Sequence, residues 1–199
     1  MQCVADADKM LTTMHRTSDN PTARVFFALW PEAAGRNKLA AWQAPLKRLC
    51  GGRAMLGETL HATLVFIGRI EQARLEALQL AAQEVGAEGF ELSFDEAHYW
   101  GHNHIVYAAP RHVPQQLMQL VDALGQRLTR HRFKFDQREH KPHVTLLRNA
   151  RWTDASLPAM QPVCWQIRDF ALVQSAHQDG LEGYRVLARF PLSHSASGG

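Results

Sequence analysis

The residues with the clearest chemical potential occur twice, as His61-Ala62-Thr63-Leu64 and as His143-Val144-Thr145-Leu146. Each tetrapeptide lies in an apolar run that predicts a β-strand, and residues two apart in a strand project from the same face. Each motif therefore places an imidazole beside a hydroxyl. One such motif is weak evidence, but its repetition 82 residues later (143 − 61) favours a single site built from both copies.

Two imidazoles across a groove suit paired general acid–base catalysis, because one can be neutral and accept a proton while the other is charged and donates one. The hydroxyls of Thr63 and Thr145 can hydrogen-bond the non-bridging oxygens of a phosphate. This set of groups fits hydrolysis of a phosphodiester without a metal or another cofactor. Because the two motifs are equivalent, the residues alone do not decide which histidine is the acid.

The chain of 199 residues, with 46% hydrophobic content and a net charge of +3, is long enough for one large domain or two small lobes. Residues 1–22 are polar and irregular and are expected to be a disordered leader, and 193–199 a flexible tail. Residues 23–192 are expected to form a single bilobal domain with an internal duplication. The absence of a long apolar span argues against a membrane protein, and the three scattered cysteines are typical of reduced thiols in the cytoplasm.

Hydrophobic periodicity predicts alternating strands and amphipathic helices. Pro45 is expected to kink or shorten the first helix. The strand at 90–94 is expected to pair with 104–109, and the last two strands to form a hairpin around Asp179-Gly180. The predicted strands span 24–30, 60–67, 90–94, 104–109, 142–148, 165–175 and 184–190, and the predicted helices 32–50, 71–85 and 113–130.

The two halves of the chain follow the same plan. The strand at 25–29 begins 36 residues before His61 (61 − 25), and the strand at 105–109 begins 38 residues before His143 (143 − 105). Each strand feeds a helix, then a motif strand, then an alternating strand. The pattern predicts an α+β fold with two lobes related by a pseudo-twofold axis, each an antiparallel sheet with helices packed outside, so that the motifs face each other across a groove.

At these residues the chain resembles the 2H phosphoesterase superfamily and, within it, the RNA 2′,3′-cyclic phosphodiesterases once called 2′-5′ RNA ligases (LigT/ThpR-like). The resemblance rests on residues 24–29, 60–68 and 141–148 and extends in order and spacing from about Arg24 to Leu192. It implies opening of an RNA-terminal 2′,3′-cyclic phosphate to a 2′-phosphomonoester. The alternatives are the reverse reaction (2′-5′ RNA ligation), cleavage of small cyclic or 2′-5′-linked nucleotides, and a non-catalytic module that binds RNA ends.

The resemblance also implies a role for individual residues. His61 is expected to be the proton donor and His143 the proton acceptor, and Thr63, Thr145 and Arg148 are expected to bind the phosphate. Arg148 raises a difficulty, because in a flat strand it would point away from the face that carries Thr145; it reaches the phosphate only if the strand bends or ends near residue 147. Phe27 is a candidate for stacking on a terminal base, although strand parity does not decide between it and its neighbour Phe26.

Two further groups of residues invite a functional interpretation. His98, His102 and His104 offer a possible metal site, but they lie at a predicted turn without a carboxylate or cysteine at a tight ligand spacing, so no metal is expected. The richest basic stretch leads into the second motif and is a candidate for attracting the RNA backbone. The expected partners are RNA with 2′,3′-cyclic phosphate ends or small cyclic nucleotides, bound by a monomer. The basic stretch comprises Arg127, Arg130, His131, Arg132, Lys134, Arg138 and Lys141.

Overall fold

The structure is a computed structural model that describes residues 21–153, 156–178 and 181–193, with only the backbone described at 176–178 and 181–182. The predicted turn at Asp179-Gly180 and most of the predicted leader and tail lie outside these residues. The structure differs from the predicted leader and tail at one residue each. Thr22, the last residue of the predicted leader, already belongs to the first strand. Ser193, the first residue of the predicted tail, donates its backbone N–H to the carbonyl of Ala87.

The described residues form strands and helices in mixed order. The strands are β1 Thr22–Leu29, β2 Arg53–Ala54, β3 Ala62–Glu71, β4 Phe90–Phe94, β5 Glu96–Trp100, β6 Ile105–Ala109, β7 Val144–Arg148, β8 Val163–Ile167, β9 Asp169–Gln178 and β10 Leu181–Pro191. The α-helices are α1 Ala33–Ala40, α2 Gln43–Cys50, α3 Leu75–Gln83 and α4 Gln115–Arg130.

Eight of the strands form one antiparallel sheet in the order β10-β9-β1-β3-β7-β6-β5, with β2 paired to β7. The α+β class with antiparallel strands is therefore confirmed. The motif strands β3 and β7 are neighbours at the centre of this sheet and pair through Ala62 and Val144. The strands of the two lobes are thus continuous, rather than two separate sheets that meet at a groove.

The pseudo-twofold relationship is visible in the strand partners. β1 flanks the first motif strand as β6 flanks the second. The strands that follow the two motifs, β4 and β8, pair with each other, with Leu92 opposite Trp165. The prediction that 90–94 pairs with 104–109 was therefore wrong: β6 pairs instead with β5, which sequence analysis missed.

The first predicted helix is divided into α1 and α2 by a turn at Ala41 and Trp42, and the break precedes Pro45. Proline lacks the N–H that would bond the carbonyl of Ala41, and its ring would collide with that carbonyl. It is tolerated in the first turn of α2, where backbone N–H groups have no partner within the helix. Other boundaries differ as well: for example, β3 extends to Glu71, α3 starts only at Leu75, and the predicted strand 165–175 is divided at Arg168.

The two faces of β1 have different neighbours, and this difference separates the core from the site. Val25, Phe27 and Leu29 are fully buried in the main hydrophobic core beneath the helices. Phe26 and Trp30 lie on the opposite face in a smaller cluster. The face that carries this smaller cluster also carries the first motif's histidine, as the ring contacts below show.

Candidate active site

Both motifs contribute side chains to one cavity of about 200 Å³. The structure brings together all five polar residues that the sequence predicts for the site: His61, Thr63, His143, Thr145 and Arg148. Arg24 also lines the cavity, and none of its described lining residues is acidic. The guanidinium groups of Arg24 and Arg148 bring positive charge to the cavity lining, which favours an anionic ligand such as a phosphate.

The two imidazoles are oriented in the same way. Nδ1 of His61 lies 2.7 Å from the carbonyl oxygen of Thr59, and Nδ1 of His143 lies 2.8 Å from that of Lys141. A carbonyl oxygen can only accept a hydrogen bond, so Nδ1 carries the proton in both rings. Each histidine is thus held by the carbonyl two residues before it, which leaves Nε2 as the nitrogen for proton transfer.

Aromatic rings surround the imidazole of His61. The indole of Trp30 is stacked on it, with ring centroids 4.9 Å apart and planes 13° apart. Phe26 and Tyr184 approach the same imidazole at 5.0 and 5.2 Å. The face of an indole attracts a cation, so the stacked geometry of Trp30 is compatible with an imidazole that carries a proton on both nitrogens. The surroundings of His61 therefore suit a proton donor.

The imidazole of His143 meets its aromatic neighbours at steep angles. Trp100 lies 4.7 Å away with the planes 68° apart, and Tyr107 lies 5.6 Å away with the planes 76° apart. Burial lowers the pKa of His143 from its usual 6.5, and this effect outweighs the opposing hydrogen bond to Lys141. The imidazole is therefore neutral at neutral pH, as a proton acceptor must be.

Arg148 reaches the cavity because β7 contains a β-bulge. Tyr107 of β6 pairs with Thr145, but the adjacent Val106 pairs with Leu147, so Leu146 is an extra residue. The bulge reverses the alternation of the strand and returns Arg148 to the face of Thr145. This is the bend that the sequence required. Leu146 and Leu147 are consecutive and both fully buried, as the bulge demands.

A close backbone contact supports the end of β7 beside Arg148. Gly52 has φ +80°, and a Cβ built on it would lie 2.6 Å from the carbonyl oxygen of Arg148. Both the left-handed conformation and the lack of space require glycine at this position. The contact places the turn before β2 directly against the strand that presents the arginine.

The expectation that Phe27 stacks on a base was wrong. Its ring is 0% exposed and packs in the core against Phe170 and Phe190. Phe26 is the member of the pair that lines the cavity, and it is 4% exposed because its ring packs against His61 and Tyr184. The sequence could not distinguish the two residues because every position from 25 to 29 is apolar.

Sequence analysis did not single out the other aromatic residues of the site. Phe66 and Tyr184 line the cavity and are half-buried, and the guanidinium carbon of Arg24 lies 5.0 Å from the centroid of the Phe66 ring. Phe66 follows His61 by five residues, as Arg148 follows His143. That equal spacing is the signal in the sequence that could have identified Phe66.

The histidines considered for metal binding have other partners. Nε2 of His98 lies 3.0 Å from a carboxylate oxygen of Glu96, and Nδ1 of His104 lies 3.0 Å from the hydroxyl of Tyr99. Within residues 21–153, 156–178 and 181–193, no group of three His, Cys, Asp or Glu side chains could hold a metal ion.

Much of the basic stretch is paired with carboxylates nearby. Arg127, Arg130 and His131 all lie within 4.0 Å of the carboxylate of Glu84. Arg138 contacts Asp136, and Nζ of Lys141 lies 3.6 Å from a carboxylate oxygen of Glu139. These pairs reduce the positive potential available to an RNA backbone, so the attraction suggested by the sequence is weaker than the number of cations implies.

The family model described as the 2′-5′ RNA ligase superfamily matches residues 30–179. The chain belongs to this superfamily. Within the described residues, no helix of this superfamily member is both long and apolar enough to span a membrane.

Individual relatives of this superfamily member extend the match. The RNA 2′,3′-cyclic phosphodiesterase of Escherichia coli (strain K12) is 30% identical over 170 residues, which cover 85% of this chain and 97% of the relative. The crystal structure of E. coli LigT complexed with 3′-AMP matches with a TM-score of 0.78 and 30% identity, over 86% of this chain and 99% of LigT. The crystal structure of a Thermus thermophilus protein, TT0787, shares the fold with a TM-score of 0.68 and 22% identity, over 84% of this chain and 97% of that one.

Proposed function

We propose that this superfamily member hydrolyses RNA-terminal 2′,3′-cyclic phosphates to 2′-phosphomonoesters. The observation that carries the proposal is the pair of imidazoles with the same Nδ1 anchoring and different surroundings, at one cavity that carries two hydroxyls and two guanidinium groups. The activity named for the E. coli relative agrees with it. RNA ends and small cyclic nucleotides are the proposed substrates; a monomeric state and a cytoplasmic location stay predictions.

In the proposed reaction, Nε2 of His143 takes a proton from a water molecule, whose oxygen attacks phosphorus. The bond between phosphorus and the 3′ oxygen breaks as a new bond to the water oxygen forms. The Nε2–H of His61 gives its proton to the departing 3′ oxygen, which leaves the phosphate on the 2′ oxygen. Exchange with solvent then returns each histidine to its starting protonation state.

The remaining polar groups stabilise the charge that develops on the phosphate. Thr63 and Thr145 donate hydrogen bonds from their hydroxyls to the non-bridging oxygens. Arg148 contributes a planar guanidinium that can engage two oxygens at once. Donors that are already in place when the reaction starts are worth about 2.7–4 kcal/mol each in comparable sites. Phe66 and Tyr184 are the half-buried rings on which a terminal base can stack.

The direct test uses 2′,3′-cyclic AMP in ¹⁸O-labelled water with EDTA present. The proposal predicts 2′-AMP that carries one ¹⁸O on phosphorus, because water supplies the new oxygen and the 3′ oxygen leaves. A labelled 3′-AMP product would show instead that the bond between phosphorus and the 2′ oxygen breaks. No turnover with EDTA, but turnover after addition of a divalent metal, would contradict the two-histidine mechanism.

A groove beside His143 favours a second candidate function, the 2′-5′ joining or cleavage of RNA. The attacking and leaving oxygens of phosphoryl transfer lie roughly in line, so the nucleophile approaches from the His143 side. Hydrolysis needs room there for one water molecule, about 30 Å³. The groove measures about 1360 Å³, shares Thr63, Phe66 and His143 with the cavity, and is lined on one side by α4. A nucleoside with a 5′-hydroxyl fits such a volume.

This second reaction can be separated from hydrolysis by substitutions on one helix. Gln126 is exposed on the groove wall, whereas Gln119 is exposed elsewhere on α4. Gln126→Trp should reduce cleavage of a 2′-5′-linked dinucleotide at least several-fold and leave hydrolysis of 2′,3′-cyclic AMP unchanged. Gln119→Trp is the matched control. Equal cleavage by both variants would exclude the groove as the binding site of the second nucleoside.

A further inference from the structure

The edge of β3 that faces β7 has an unusual set of partners. Ala62 pairs with Val144, and within the described residues the β3–β7 ladder ends there. A buried carbonyl left without a donor costs about 1–3 kcal/mol. Beyond this pair the backbone N–H of Asp136 donates to the carbonyl of Phe66 at 3.0 Å, and Nε2 of His140 lies 3.0 Å from the carbonyl oxygen of Thr63.

The facing edge of β7 is closed by the other half of the chain. Ala54 of β2, which precedes the first motif, pairs with Leu147, and the backbone N–H of Met55 donates to the carbonyl of Leu146 at 2.9 Å. Each motif strand is therefore held by the segment that precedes the other motif. The short ladder with β2 holds β7, whereas on β3 the side chain of His140 supplies one of the hydrogen bonds.

The environment of His140 selects one tautomer. Because the Thr63 carbonyl accepts, Nε2 carries the proton and Nδ1 carries the lone pair. Nδ1 is buried and has no hydrogen-bond partner among the described residues. A proton there would lack an acceptor, and burial accordingly lowers the pKa of His140. The His140 imidazole is therefore neutral at neutral pH, and in this neutral form its Nε2–H holds the carbonyl of Thr63.

We infer that His140 is a positioning residue that fixes the placement of the Thr63 hydroxyl relative to the His143 imidazole. His140 lies three residues before His143, and the carbonyl of Lys141 between them anchors Nδ1 of His143. A short path of covalent and hydrogen bonds thus joins the backbone of Thr63 to the proposed base. A misplacement of about 1 Å in such a site can cost about 100-fold in rate. The inference rests on the proposed function for its kinetic readout.

The test compares two replacements of His140 that differ in their ability to donate. His140→Phe keeps a planar ring without a donor, whereas His140→Gln places an amide N–H near the position of Nε2. With 2′,3′-cyclic AMP, we expect His140→Phe to lower kcat by about 10- to 100-fold with little change in KM. His140→Gln should recover most of kcat. His112→Phe, at an exposed position outside the site, is the matched control and should match the wild type.

A purely structural role would give a different result. If His140 only fills space, the Phe variant should retain kcat, or the Phe and Gln variants should lose it equally; either result overturns the inference. Should His140→Phe fail to fold, the imidazole ¹⁵N spectrum of the wild type decides. The inference requires His140 to be neutral and protonated on Nε2 at neutral pH, and protonation on Nδ1 would overturn it. That spectrum does not depend on turnover, so failure of the proposed function is recognised separately.

Discussion

Thr145 and Arg148 face the same cavity although they are three positions apart along β7. The extra residue at Leu146 makes this possible, because it shifts the register against β6 between Thr145 and Leu147. The first motif strand has a similar irregularity: Phe27 pairs with Val65 and Ala28 with Thr63, which leaves Leu64 as the extra residue. Both motifs therefore carry a bulge directly after the threonine, and the residue five after each histidine returns to the site.

The shape of Arg148, as well as its charge, should matter for catalysis. Arg148→Lys keeps the positive charge but loses the fork that engages two phosphate oxygens. We expect kcat/KM for 2′,3′-cyclic AMP to fall by about tenfold in the lysine variant and by about 100-fold or more in Arg148→Met. Steady-state kinetics check this. Equal activity of the Lys and Met variants would show that the charge of Arg148 does not act on the phosphate.

The threonine hydroxyls should contribute to the transition state rather than to folding. Valine has nearly the shape of threonine but no hydroxyl, and both side chains are half-buried at the cavity. We expect Thr63→Val and Thr145→Val each to lower kcat/KM by about tenfold or more. Thermal unfolding should show little change in Tm. A large fall in Tm with unchanged kcat/KM would assign the hydroxyls a structural role instead.

Phe26 and Phe27 should separate activity from stability. Phe27→Leu leaves a space in the main core and should lower the free energy of unfolding by about 1–2 kcal/mol without changing kcat/KM. Phe26→Leu removes a ring 5.0 Å from the His61 imidazole and should lower kcat several-fold. Urea denaturation and steady-state kinetics on the same preparations test this. The reverse assignment of effects would contradict the placement of the two rings.

The sequence predicted that the two histidines and the two threonines lie at one cavity, because a repeated motif marks equivalent positions in the two halves. It also predicted that Arg148 requires a bend. The partners of the 90–94 strand were not predictable, since its alternating pattern suits pairing with either β6 or β8. The roles of Trp30 and Tyr184 depend on how distant strands twist toward His61, and no local pattern records that arrangement.

Acidic pH should destabilise the fold through the two histidines of the second motif region. Burial lowers the pKa of His140 and of His143 below 6.5 in the folded state, whereas both titrate near about 6.5 when unfolded. Below about pH 6.5 the unfolded chain therefore binds more protons than the folded chain, and the free energy of unfolding should decrease as the pH is lowered through that range. Above it, their contribution is fully present.

Urea denaturation between about pH 7.5 and about pH 5.5 measures this dependence. A double variant, His140→Gln with His143→Gln, should show a shallower slope below about pH 6.5, because it lacks both groups. His112→Gln, at an exposed position, is the control and should keep the wild-type slope. An unchanged slope in the double variant would show that other groups cause the acid sensitivity.

Turnover of an RNA oligonucleotide ending in a 2′,3′-cyclic phosphate, by the wild type and by His61→Ala and His143→Ala with EDTA present, tests the central claim most directly. Two imidazoles that act as donor and acceptor predict a 2′-phosphate end from the wild type and a loss of about 100- to 10,000-fold in kcat in each variant. Full activity in either variant, or wild-type turnover only after addition of a divalent metal, would contradict the two-histidine account.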